Sequence, residues 1–308
     1  MKKIINTIIV TLTLAPLFLT GCGPAPQSGD DELKVLASTS FLADIAQNVA
    51  GDRLTVDSLL PIGADPHAYQ AAPADVSKIA ESDVLILNGL EYEHFIEPLL
   101  ENAGGERLVI EAASGLTPTK LEESTEGEGR GNEAGDPHMW LDANRVTRYV
   151  ENIRDGLIKA DPAGEEIYRA NAAAYIEQLI ELDMWIWQQV QTIPAERRLL
   201  VTNHEALGYF AEHYGFTIVE SILPSFSSEA GASAQEIAAA IEAIKSSGAP
   251  AIFLGEAENA DLAEQIAAET GVQVVDSLHL ESLTDGEPAP TYIAMMKHNV
   301  TQIVGALK

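Results

Sequence analysis

Short apolar runs of strand type alternate along the chain with longer segments whose apolar residues recur at helical spacing. The predicted strands are Lys34–Ala37, Thr55–Leu60, Asp83–Leu87, Arg107–Ile110, Leu199–Thr202, Thr217–Ser221, Ala251–Leu254 and Val272–Val275. Between them, Phe41–Val49, Pro73–Glu81, Ala206–Tyr214, Ala234–Ser246 and Asp261–Glu269 read as helices. This alternation predicts an α/β protein with largely parallel sheets. The middle of the chain breaks the rhythm. Asn144–Lys159 carries Val146, Val150, Ile153 and Leu157 on one helical face, Asp161-Pro162 punctuates, and Gly164–Thr192 continues the helical pattern. At 1.5 Å per residue the second of these helices spans roughly 40 Å. Two lobes joined by a long rigid helix follow: an N-terminal lobe over 33–162, the linking helix over 163–193 and a C-terminal lobe over 194–308. Thr291–Leu307 is one more amphipathic helix.

The first residues change the picture of where the protein works. Met1-Lys2-Lys3 and the apolar run Ile4–Leu19 are too short for a membrane span of about 20 residues and read as a signal peptide, residues 1–21. The run ends in Leu19-Thr20-Gly21-Cys22, which resembles the bacterial lipobox and makes Cys22 the expected lipid attachment site. Residues 22–32, polar with Pro and Gly, read as a tether. The expected location is extracytoplasmic, at the cell surface or in the periplasm, with the lipid anchor as the sole link to the membrane. Cys22 is the only cysteine, so an internal disulfide and a thiolate-rich metal site are excluded. Residues 121–135 form an acidic, low-complexity segment read as an exposed loop. Lys and Arg number 18 against 47 Asp and Glu, a balance that excludes a nucleic-acid partner.

Candidate chemistry lies in a repeated tripeptide. Asp65-Pro66-His67 and Asp136-Pro137-His138 each follow a polar segment and precede a helical one. His204 comes directly after the strand Leu199–Thr202, and Asp276 directly after Val272–Val275. Strand ends are where α/β sheets place binding sites. Three imidazoles and one carboxylate suit a tetrahedral zinc ion. Asp65 and Asp136 either support the histidine rings or only cap the following turns. A single loop histidine has an equally plain reading as a solvated polar residue, and spacing alone leaves both readings open.

The stretches Pro61–Tyr69, Asp136–Asp142, Thr202–Phe210, Asp276–Leu278 and Thr291–Asn299 resemble, in order and over nearly the whole mature chain, the zinc/manganese type of ABC-importer solute-binding lipoproteins. The resemblance implies two α/β lobes, a long linking helix and one metal ion held between the lobes by His67, His138, His204 and Asp276. It implies a monomer that captures a divalent transition metal and delivers it to an importer permease with a cytoplasmic ATPase. The acidic segment 121–135 stands where zinc-type members often carry a histidine-rich loop. His204 stands where manganese-type members commonly carry glutamate. Imidazole favours zinc, so zinc is the expected cargo, with manganese or iron as the alternatives.

The remaining histidines carry less. His279 lies close enough in sequence to Asp276 to approach the site, His94 reads as a surface residue, and His213 and His298 sit on helices. An enzyme is not expected. The competing classes are a metal-dependent hydrolase with Glu205 as its base, and a surface adhesin, for which no residue pattern speaks.

Overall fold

The computed structural model describes residues 33–120, 134–229, 231–255, 258 and 260–308. The signal peptide, Cys22 and the tether, and all but the last two residues of the acidic segment, lie outside the described residues. The N-terminal sheet holds β1 (Val35–Ala37), β2 (Val56–Ser58), β3 (Val84–Leu87) and β4 (Leu108–Glu111), all parallel, in the order β2-β1-β3-β4. The C-terminal sheet repeats the plan with β5 (Leu199–Thr202), β6 (Thr217–Ser221), β7 (Ala251–Gly255) and β8 (Gln273–Leu278), ordered β6-β5-β7-β8 and again parallel. Burial explains which strands are central. Val84–Leu87 and Ala251–Gly255 are apolar or small throughout and buried throughout, as strands covered on both faces must be. The edge strands β2 and β8 mix in Asp57, Asp276 and Ser277 and are partly exposed.

Helices cover both faces of each sheet. In the N-terminal half these are α1 (Ser40–Ala50), α2 (Pro73–Glu81), α3 (Ile96–Ala103) and α4 (Ala143–Ala160). The linking helix is α5 (Glu165–Val190), and the C-terminal half adds α6 (Gly208–Tyr214), α7 (Ala234–Ser247), α8 (Asp261–Thr270) and α9 (Tyr292–Leu307). Sequence periodicity left α3 unassigned, because Pro98 and only eight residues give too little repeat to read. The outer faces pack as separate clusters, one around Leu59, Ile79 and Leu99 and one around Ile244, Ile252 and Ile266.

The long helix is embedded. Tyr168, Ala172, Tyr175, Leu179, Leu182, Ile186 and Val190 recur every three or four residues and are buried. They pack against α1, α4 and α9 in one core that also holds Phe41, Trp140, Phe210 and Tyr292. The expected long helix does not stand free between the halves: it packs along α1 and α4 of one and α6 and α9 of the other. Leu33–Lys308 forms a single compact unit.

Candidate metal centre

Four side chains converge where the strands of both sheets end. His67 lies in the loop between β2 and α2, and its backbone N–H donates to Asp65 Oδ1 at 2.8 Å. Pro66 restricts Asp65 to extended backbone, so the turn points His67 inward. His138 lies between β4 and α4. There Asp136 Oδ1 meets both the His138 backbone N–H (2.9 Å) and the ring Nδ1 (2.8 Å). The two tripeptides therefore diverge: Asp136 orients a ring, whereas Asp65 shapes its turn and accepts a hydrogen bond from Ser228 at 2.6 Å. His204 follows β5 by two residues, and its Nδ1 bonds the carboxylate of Glu258.

The fourth member is Glu281, and the expected Asp276 is not in the group. The reason is the true end of β8. The strand runs on to Leu278, so Asp276 is an exposed strand residue and the loop that reaches the centre begins later. That loop is bound to the N-terminal half. Trp140 Nε1–H donates to the Leu280 carbonyl at 2.8 Å, Tyr92 donates its hydroxyl proton to Glu281 Oε2, and Ser40 Oγ accepts from the Leu283 N–H at 2.9 Å. A sequence signal did exist: Glu281 sits in Leu278-His279-Leu280-Glu281-Ser282-Leu283, where an acid among apolar neighbours must find a partner once buried.

The donors form a tight cage. His138 Nε2 stands 3.4 Å from His67 Nε2 and 3.3 Å from His204 Nε2. Glu281 Oε1 lies 3.5 Å from the Nε2 atoms of His67 and His138 and 3.6 Å from that of His204. The four side chains are at most 4 % exposed. Glu281 Oε1 has no hydrogen-bond partner among the described residues, although it is buried and faces three nitrogens. Burial would raise the Glu281 carboxyl, but the charge of His67 and the facing nitrogens of all three rings hold it well below the usual range. Burial would lower His204, yet its bond to Glu258 and the facing Glu281 carboxylate outweigh that and push it up to about 10. His138 is raised in the same way, against burial, by Asp136 and Glu281.

The other candidates lie elsewhere. His279 is buried beside His298, its rings 5.1 Å apart, and is outside the group. His213 bridges Asp142 and Asp183. His94 is exposed, and Glu205 lines a neighbouring cavity with Asp136 and Glu220.

Two parallel-sheet halves sharing a buried three-histidine, one-carboxylate cage at their strand ends define a periplasmic-type metal-binding component of an ABC transporter. The chain belongs to the family described as zinc-uptake complex component A, periplasmic (ZnuA), whose model matches residues 35–306. It is 37% identical to the manganese-binding lipoprotein MntA of Halalkalibacterium halodurans, over 100% of this chain and 99% of that relative. It is 33% identical to the iron-binding protein YfeA of Yersinia pestis, over 90% of this chain and 87% of that one. Among solved structures, the periplasmic zinc-binding protein TroA of Treponema pallidum superposes with a TM-score of 0.79 at 29% identity, covering 90% of this chain and 99% of that one.

Proposed function

We propose that this protein captures one zinc ion in the cage of His67, His138, His204 and Glu281 and passes it to the permease of an ABC importer driven by a cytoplasmic ATPase. The donor spacing carries the reading. Bonds of about 2.0–2.1 Å at tetrahedral angles put neighbouring donors about 3.3–3.4 Å apart. Five of the six donor separations, 3.3 to 3.6 Å, fit that figure closely, and all four donors lie within 4.8 Å of one another. Tyr92 engages Oε2, which leaves Glu281 a single oxygen to offer and favours four-coordination. Four donors closing on one point leave no place for a reactive water, which argues against hydrolysis.

Manganese is the second reading, favoured by the relative named as manganese-binding at 37% identity. The two readings differ in kind. Divalent affinities rise toward copper and zinc at most nitrogen-containing sites, so a carrier of manganese still binds zinc more tightly in a tube. Elemental analysis of protein taken from its native membranes, followed by zinc–manganese competition on the metal-free form, separates them. Zinc as isolated, together with a zinc preference well beyond the general trend, supports the first reading; manganese as isolated overturns it.

The protein acts as a monomer outside the cytoplasm, anchored through lipid on Cys22. Support comes from the Leu19–Cys22 signal and from relatives named lipoproteins. Among the described residues no helix is long and apolar enough to cross a membrane. Cys22→Ser should abolish lipid labelling and detergent partitioning; a labelled variant would move the anchor elsewhere.

A further inference from the structure

Nothing in the tripeptide repeat accounts for how the ring of His204 is held. Of the three cage rings, two carry a carboxylate on Nδ1: His138, held by Asp136 two residues away, and His204, held by a residue 54 positions downstream. That residue, Glu258, lies just past the end of β7 with a side chain only 3 % exposed. Its backbone N–H donates to the Gly255 carbonyl at 3.1 Å, while the Gly255 N–H donates back to Glu258 Oε2 at 2.6 Å. One carboxylate oxygen is thus pinned to the strand end. The other, Oε1, is free to take the His204 ring.

We propose that Glu258 is the positioning residue that makes His204 an Nε2 donor, doing for the C-terminal half what Asp136 does for the N-terminal half. The inference rests on the cage being the metal site. A neutral imidazole carries one proton, and a metal can use only the nitrogen without it. With Glu258 holding the proton on Nδ1, the lone pair on Nε2 points at the cage centre, 3.3 Å from His138 Nε2. Without an acceptor at Nδ1, the proton can settle on Nε2, where Glu281 Oε1 at 3.6 Å would take it and close the site. A buried carboxylate on this ring also makes it a more basic donor. The effect is specific to a histidine at position 204, because a side chain without a second ring nitrogen has no use for such a partner.

Glu258→Leu should weaken zinc binding about 10- to 100-fold, the usual cost of removing such a partner. Glu258→Gln, which keeps an acceptor oxygen without the charge, should lose less. In a His204→Gln background the Glu258→Leu change should cost less than twofold, since the ring it orients is gone. Equal losses in both backgrounds would make Glu258 a structural residue only and overturn the proposal, as would wild-type affinity in Glu258→Leu. Nitrogen–proton NMR of the metal-free protein gives an independent arm. A downfield, hydrogen-bonded Nδ1 proton on His204 should be present in the wild type and in Glu258→Gln and absent in Glu258→Leu. Its absence from the wild type sinks the positioning role even if zinc binds. Failure of the wild type to bind zinc, with that proton present, sinks only the reading of the cage.

Discussion

Glu281 is a buried carboxylate whose Oε1 is shared among three imidazoles, and its environment makes sense only with a positive charge at the centre. Against burial, Glu258 and Glu281 raise His204, and Asp136 and Glu281 raise His138, so these carboxylates favour a proton on each ring where no metal sits. Glu281→Gln should therefore weaken zinc binding at least tenfold, while Asp276→Asn on the exposed strand should change it less than twofold; calorimetric titration of the two variants decides between them. The raised imidazoles also move the pH window. The metal needs bare nitrogen, so its uptake must release protons, and each one released steepens the affinity by about tenfold per pH unit. Affinity should already fall between about pH 9 and 7, not only below the ordinary imidazole value near 6.5. A profile flat above pH 7 would mean that the rings are neutral before metal arrives. For the metal-free fold the sign is opposite. A raised histidine contributes stability that is present below its unfolded value of 6.5 and is lost as pH rises through about 10.

Among the elements, α4 has to lie close against β4 for His138 and Asp142, at its entrance, to face inward. Gly156 permits that approach, since a Cβ there would stand 2.2 Å from Ile110 Cδ1 and 2.5 Å from Ile110 Cγ1. Ile110 is buried and branched, so it has little room to yield. Gly156→Ala should destabilise the protein by about 1–3 kcal/mol despite the better helix propensity of alanine. A denaturation midpoint equal to or above wild type would show that β4 and α4 can separate freely. The start of α4 is also chemically defined: Asp142 caps it by accepting the Asn144 N–H at 2.9 Å.

Residues 33–308 form one unit, because α5 threads a core shared by both halves and the Glu281 loop is hydrogen-bonded to Trp140, Tyr92 and Ser40 of the other half. One cooperative thermal transition is expected. Zinc at a hundred times its dissociation constant should raise that transition by the equivalent of about 2.7 kcal/mol. Two separate transitions, with zinc moving only one, would mean that the halves fold independently and that the cage closes only afterwards. The same stitching explains how two distant stretches of chain meet at one cage without a disulfide between them.

The alternation of strand and helix, the eight strands and the long helix were legible in the residues themselves; His67, His138 and His204 were legible only as candidates, singled out by the family resemblance. Local patterning determines the elements, because strand and helix periods differ, and His204, just past the end of β5, needs no distant information to reach the rim of its sheet. Asp276 was misread because one wrong strand boundary, three residues short of Leu278, moved the expected loop onto the strand. Glu281, Tyr92 and Glu258 belong to the other kind of knowledge. Each is one acid or phenol among many, and its role arises from a partner 54 to 189 positions away. Only the packing of the two halves on α5 brings those partners together. Buried charge is tolerated there because each bare carboxylate finds a ring or a hydroxyl to meet it.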